Sequence, residues 1–283
     1  MRAEQKGPII SSIADKRWNQ YQLEKNLADR LKKADKRERE VLYTTVYNKL
    51  NWELPELNAS QQELDRQEKG KPSPQLKWLK RLLTDQSTFI DIGAGNCKLA
   101  LEVTNFAKQV YAAEASSVIA RQSSLPSNFK VIMGDASSIE LPGIAVNIAY
   151  SRQLIQRLHP DDALEHLKNV HKLLAPGGIY FCITPNRVFG PHDASRHFDC
   201  TASGLHLKEY SYAELDRILK QAGFARRNFY MKVWGTYMMA PVWPMKAYEF
   251  LMARLPHALR LAVGKWPIFK PLVNIRLVAE KTK

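Results

Sequence analysis

Between Gln75 and Lys281 the chain alternates short, nearly continuous apolar runs with stretches whose apolar positions recur every three or four residues. The runs STFIDIG (Ser87–Gly93), QVYAAEA (Gln109–Ala115), KVIMGDA (Lys130–Ala136), IAVNIAYS (Ile144–Ser151) and IYFCITP (Ile179–Pro185) predict five strands. LKWLKRLL, CKLALEVTNFA and DALEHLKNVHKLLA predict the helices between them. The last is opened by Pro160-Asp161-Asp162 and closed by Pro176-Gly177-Gly178. A further helix, YSYAELDRILKQAGF, ends at Gly223 and leads to a sixth strand, RRNFYMKVW; NIRLVAEK (Asn274–Lys281) predicts the last. Strands that are apolar throughout are covered on both faces, and a βαβα order makes the sheet parallel. The expected class is α/β: a doubly wound, mostly parallel, seven-stranded sheet.

Two segments fall outside this rhythm. Asp15 to Leu50 predicts one helix, with Leu23, Leu27, Leu31 and Ala34 on one face and Lys32, Lys33, Lys36, Arg37 and Arg39 largely elsewhere. KGKPSPQ (Lys69–Gln75) breaks the chain, so residues 1–74 form a helical extension or lid and 75–283 the main domain. About 40 residues separate the last two strands, too many for a hairpin. They define an insertion, 235–272, in which Tyr237, Trp243, Tyr248, Phe250 and Trp266, with Trp234 just before them, mingle with Lys246, Arg254, Arg260, Lys265 and Lys270. A helix across Met245–Leu255 puts Tyr248, Met252 and Leu255 on one face.

Charge sharpens the picture. Of the net +14 over 283 residues, +9 lies between Ala225 and Lys283, where eleven Lys/Arg face only Glu249 and Glu280. A basic surface attracts anionic partners: nucleic acid, lipid or an acidic substrate. Single basics among large apolar side chains fit a lipid-like acceptor or peripheral contact with an anionic membrane better than a phosphate groove. Cys97, Cys182 and Cys200 have no C-x-x-C spacing and suit a reduced compartment. With no apolar leader and no run of about 18 apolar residues, the expected location is cytoplasmic.

In a doubly wound sheet, ligands bind at the carboxyl ends of the strands near the reversal of strand order. Asp91, Gly93 and Gly95 end the first strand; Glu114, 19 residues beyond Gly95, ends the second, and Asp135 ends the third. An acid at the second tip can grip a ribose diol. A dinucleotide site would want a third glycine for the pyrophosphate, where this chain has Asn96-Cys97, so a phosphate-free nucleoside fits better.

FIDIGAGNCKLALEV, VYAAEAS, VIMGDASSIELP and LLAPGGIYFCITP, within Leu76–Phe224, resemble the successive motifs of class I S-adenosylmethionine-dependent methyltransferases, whose sheet is Rossmann-like. The resemblance implies S-adenosyl-L-methionine as cofactor. Asp91 would position its methionine end, Gly93 and Gly95 would let it pass, and Glu114 with Ala115 would hold the ribose. Asp135 and Ala136 would border the adenine, and Ser151 would lie beside the sulfonium. The family commonly carries a third glycine that this chain lacks.

Ser151-Arg152-Gln153-Leu154 after the fourth strand lacks the Pro-Pro-aromatic signature of enzymes that methylate nucleobase amines, and Cys182 lies inside a strand rather than at a tip. The polar stretch Thr184–Ser211 begins at the fifth strand's carboxyl end and reads as the active-site loop. The candidate bases are His192 with Asp193 as orienter, and His159 after the fourth strand; His197 near Asp199 offers a similar pair. Arg187, His197 and His206 are the acceptor-binding candidates, and no metal site is expected. A long loop after the fifth strand and a helical lid resemble the small-molecule methyltransferases. The expected activity is methyl transfer to a small or amphiphilic metabolite, at oxygen. The alternatives are an RNA methyltransferase and a non-catalytic cofactor-binding subunit.

Overall fold

A computed structural model describes residues 13–54, 70–114, 125–134, 139, 141–233, 236–266 and 269–282. The strands are β1 (Thr88–Ile92), β2 (Gln109–Glu114), β3 (Phe129–Met133), β4 (Val146–Arg152), β5 (Leu174–Pro185), β6 (Arg226–Val233), β7 (Thr236–Pro241) and β8 (Asn274–Glu280). They form one sheet in the order β3-β2-β1-β4-β5-β8-β6-β7. The first five are mutually parallel, whereas β8 runs antiparallel to β5 and β6, and β7 antiparallel to β6. The chain winds outward from β1 to β3, then returns to lay β4 on the other side of β1, with Asp91 beside Tyr150 and Ile92 beside Ser151. The switch point is therefore the β1/β4 mouth, where this architecture binds ligands.

Each apolar strand feeds two cores, as its continuous hydrophobicity requires. On one face Ile90, Ile92, Tyr180 and Leu277 pack with Leu167 and Val170 of α4 (Pro160–Leu173) and Leu215 and Leu219 of α5 (Tyr212–Gln221). On the other, Phe89, Val110, Ile148 and Phe181 meet Trp78, Leu79 and, from α3 (Lys98–Val103), Ala100 and Val103.

The single helix expected over Asp15–Leu50 is two: α1 (Ile13–Lys33) and α2 (Lys36–Glu53). Asp35 starts the second, accepting from Glu38 N at 3.0 Å, while the Glu38 carboxylate accepts from Asp35 N at 3.0 Å. This reciprocal cap makes a new start cheaper than continuing. Leu27, Leu31 and Val46 enter the same core as Ile90 and Leu167, so the extension is packed into the sheet's cover. A polar anchor fixes it. The Arg39 guanidinium donates twice to the buried Asp162 carboxylate, both at 2.7 Å, and Tyr43 O–H donates to it at 2.6 Å. Burial works against the Asp162 charge, but these partners outweigh it and hold the carboxyl below its ordinary range.

The seven-strand expectation also changes. Thr236–Pro241, assigned to the insertion, pairs with β6 as a hairpin and adds an edge strand. Met238 and Met239 are exposed, and the apolar run Tyr237–Met245 continues from this strand into the next helix, so no polar break marks the strand's end. The insertion's helices are α6 (Trp243–Met252) and α7 (His257–Lys265); Trp234 and Gly235 lie outside the described residues. No helix among the described residues is long and apolar enough to cross a membrane.

Candidate active site

The turn after β1 is stitched to the tip of β2. Gly93 N donates to Ala113 O at 2.8 Å, and Gly95 N to Glu114 Oε2 at 2.8 Å. Both glycines hold positive φ, +72° and +56°. A side chain at Gly93 would press on Leu154, at 3.2 Å, whereas the space above Gly95 is open for 4 Å. The turn therefore presents bare backbone at the switch point, the surface a flat nucleoside needs. Asp91 lies beneath it, 4% exposed, and among the described residues no hydrogen-bond donor reaches its carboxylate. Burial, then the like charge of Glu114, pushes its pKa up to about 7 against a smaller opposing pull from Arg152. A buried carboxylate without a donor suits a cationic group of a ligand. The predicted Ala115, Asp135 and Ala136 lie outside the described residues.

Ser151 ends β4 but faces the core: its Oγ is 2.6 Å from Tyr180 Oη, which also lies 3.3 Å from His166 Nε2. The chain leaves β4 through Gln153, at φ +58°, whose side chain meets Gln156 at 2.7 Å and Asn274 at 3.3 Å. A non-glycine residue held there by three elements marks backbone strain beside the mouth. Cys182 faces inward, its thiol pushed up by burial to about 11, so it supplies no thiolate.

The loop after β5 is organised by a carboxylate that the sequence did not single out. Glu209 accepts from His192 N at 2.7 Å, lies 3.2 Å from His192 Nδ1 and 2.7 Å from His206 Nδ1, and its side chain is 2% exposed. Burial opposes its ionisation, yet the two histidines outweigh that and hold it at about 2. An ionised carboxylate only accepts, so Nδ1 of His192 carries the proton and Nε2 holds the lone pair. That Nε2 is buried and has no partner among the described residues. In the sequence the available sign of Glu209 is its place three residues after His206 in the polar stretch Thr184–Ser211.

The expected pairing of His192 with Asp193 is thus replaced. Asp193 is turned into the loop, accepting from Ser195, from Gly204 N at 2.9 Å and from His206 N at 3.3 Å. Its adjacency in sequence does not bring it under the imidazole, because successive side chains diverge along an extended backbone. His159 does not face the loop with its Nδ1 lone pair free: Nδ1 caps α4 by accepting from Asp161 N at 3.3 Å, and the His159 backbone N–H donates to Tyr43 Oη at 2.9 Å. His197 takes a hydrogen bond from Arg196 at 3.0 Å, and Arg187 reaches out to Glu214 at 3.4 Å on the far side of the loop. Asp199 binds Tyr21 of α1 rather than His197, and Phe198 packs on Trp18 and Tyr21. A cleft of about 380 Å³ lies between α1 and this loop, lined by Arg17, Glu24, Arg157, His192, His197 and His206.

A parallel switch point, a bare turn and tip carboxylates define a nucleoside-binding α/β protein. Comparison with known proteins makes the class specific. A family model described as a methyltransferase domain matches residues 53–227. A Mycolicibacterium smegmatis protein named "Probable S-adenosylmethionine-dependent methyltransferase" is 30% identical over 92 residues, 32% of this chain and 33% of that one. The match thus spans about a third of that relative's length. Among solved structures, a chain from the Haloferax volcanii complex of the Trm112 methyltransferase activator with a methyltransferase superposes with TM-score 0.54 at 15% identity, covering 78% of this chain and 95% of that one. An S-adenosylmethionine-dependent methyltransferase from Mesorhizobium loti gives 0.50 at 16% identity, covering 74% and 98%. At such identities the likeness is one of fold. The chain belongs to the methyltransferase-domain family, and its fold is that of the class I S-adenosylmethionine-dependent enzymes its motifs resemble.

Proposed function

We propose that the protein transfers a methyl group from S-adenosylmethionine to an oxygen of a small or amphiphilic acceptor, with His192 as general base. The observation that carries this reading is the buried, unpartnered Nε2 of His192, whose opposite nitrogen is fixed by Glu209. The switch-point residues fit the cofactor: Gly95 leaves room for it, and the Asp91 carboxylate, without a donor among the described residues, would hold its α-ammonium group. Glu114, already tied to Gly95 N at one oxygen, is at the second tip where a ribose would lie. When bound, S-adenosylmethionine supplies a methyl carbon activated by a positively charged sulfur.

Every other task falls to the chain. Methyl transfer needs the acceptor oxygen in line and stripped of water, and a base only when that oxygen still carries its proton. Nε2 would accept the hydroxyl proton as the oxygen attacks, and Glu209 would stabilise the resulting imidazolium through Nδ1. The α1 helix and the loop tip, joined through Tyr21, Phe198 and Asp199, roof the cleft and would exclude water. Arg17, Arg157 and Arg196 line it against the single acid pair Glu24 and Asp193, a balance that suits an acceptor carrying a carboxylate or phosphate.

Calorimetry with S-adenosylhomocysteine, followed by turnover of a labelled methyl donor against an acceptor pool, tests this. The wild type binds and turns over; His192→Gln binds equally but turns over about 10²–10⁴-fold more slowly. Absence of cofactor binding would defeat the enzyme reading. Undiminished turnover by His192→Gln would defeat its base chemistry, and binding without turnover on any acceptor would favour a regulatory subunit.

A further inference from the structure

The helices α6 and α7 have an inner face already accounted for. Tyr248 stacks on Phe189 with centroids 6.3 Å apart and on Phe269 at 5.9 Å, Met252 is buried beside them, and Gly264 abuts Phe189. This is the face predicted to carry Tyr248, Met252 and Leu255, and it seats both helices on the loop that holds His192. His257, the first residue of α7, adds a ring nitrogen 2.9 Å from Gly190 O.

The outer faces are unusual. On α6 the exposed positions Trp243, Ala247, Phe250 and Leu251 recur at helical spacing, with Trp243 69%, Phe250 62% and Leu251 64% exposed. On α7 they are Ala258, Leu259, Ala262 and Lys265, followed by Trp266 just past its end. Met238 and Met239 on the preceding edge strand are exposed as well. A soluble surface helix turns its apolar stripe inward; these two are apolar on both sides.

Charge on the same segment has one sign. Arg254, its guanidinium 3.7 Å from the Phe250 ring centre, and Lys265 are exposed beside the aromatics. The only acid from Thr236 to Trp266 is Glu249, and it is turned inward to accept from Tyr212 N at 2.8 Å, capping α5. Lys246 is paired with Asp216. The outer surface therefore combines large apolar side chains, aromatics at both ends and, among the described residues, cations without a counter-charge.

We infer that the outer faces of α6 and α7 form a docking surface for an anionic lipid bilayer, lying in the plane of the headgroups. Trp and Phe enter the headgroup–acyl boundary and Arg254 and Lys265 pair with lipid phosphates, as interfacial helices do. A second copy of the chain is a poorer occupant: its matching face would bring uncompensated cations together with no acid to receive them. The inference is independent of the methyl acceptor, because adsorption is measured without turnover.

Flotation of the full chain with phosphatidylcholine vesicles, with and without phosphatidylglycerol, tests it. The chain floats with the anionic vesicles and much less with the neutral ones, and added salt releases it. Arg254→Ala with Lys265→Ala weakens partitioning about 25-fold, at about fivefold per basic side chain. Trp243→Ser with Phe250→Ser weakens it at least about tenfold, since each ring contributes through buried apolar area. Both pairs are exposed, so melting temperatures stay near wild type. Equal flotation on neutral and anionic vesicles, retention of binding by both double variants, or a dimer that Trp243→Ser with Phe250→Ser converts to monomer would each overturn the inference.

Discussion

Asp91 offers a quantitative test of the cofactor site, because it is buried and, among the described residues, nothing donates to its carboxylate. Its pKa of about 7 against an ordinary 3.8 means that the folded protein binds this proton more tightly than the unfolded chain. Stability is then fully present below pH 3.8, declines as pH rises between 3.8 and about 7, and is constant above. At about 1.4 kcal/mol per pH unit the loss is at most about 4 kcal/mol. Asp91→Asn removes the titration, so urea unfolding of wild type and variant should diverge across that window, the variant gaining with rising pH. The ligand reverses the balance. If Asp91 receives a cationic amine, S-adenosylhomocysteine binds only the ionised carboxylate, and below about pH 7 its affinity rises about tenfold per pH unit and then levels. Calorimetry in buffers of different ionisation enthalpy should show nearly one proton released at the acid end. Asp91→Asn should bind weakly at every pH and release none. A wild-type affinity flat across the window, or an Asn variant binding as tightly as wild type above pH 7, would refute the role given to Asp91.

Glu209→Gln frees His192 from its orienter and should cut turnover about 100-fold while leaving S-adenosylhomocysteine affinity unchanged; labelled-methyl kinetics and calorimetry read the two. The same residue, held at about 2, stabilises the fold above its ordinary 4.5, and that contribution is lost as pH falls from 4.5 toward 2. Acid unfolding of Glu209→Gln should lack this limb. Gly190→Ala drives a methyl group into the Glu209 carboxylate and to 3.1 Å from His192 Nδ1, so it should lose activity and about 1–3 kcal/mol of stability in urea melts. Arg39→Ala strands the Asp162 carboxylate and should cost about 3–5 kcal/mol, with Arg39→Ala/Asp162→Asn recovering part of it.

The strands around the mouth were legible because burial on both faces writes a continuous apolar run, and their tips carry Asp91 and Glu114 where those runs stop. The break at Asp35 is hidden because the wholly charged run Asp35–Glu40 reads equally well as the solvated face of one continuous helix; Asp35 and Glu38 at capping spacing are the available signal. Strand β7 is hidden because its apolar run continues without a break into the next helix. The His192–Glu209 pair was beyond reach for another reason. Its members are 17 residues apart on an irregular loop with no period, and Asp193, the nearer acid, was the natural guess from adjacency. Exposure decided the outer face of α6: composition supplied the aromatics and cations, but only the packing of Tyr248 and Met252 reveals which side chains are left over.

The two clamps of the acceptor loop divide it in two. Glu209 ties the neighbourhood of residue 192 to that of 206, and Asp193 closes the same ring from within, so the excursion between them leans on α1 and not on the imidazole. Residues 194–205 and the first turns of α1 thus pack as one unit: if His192 is the proposed base, transplanting them together from another family member should redirect the choice of acceptor and leave His192 and Glu209 where they are.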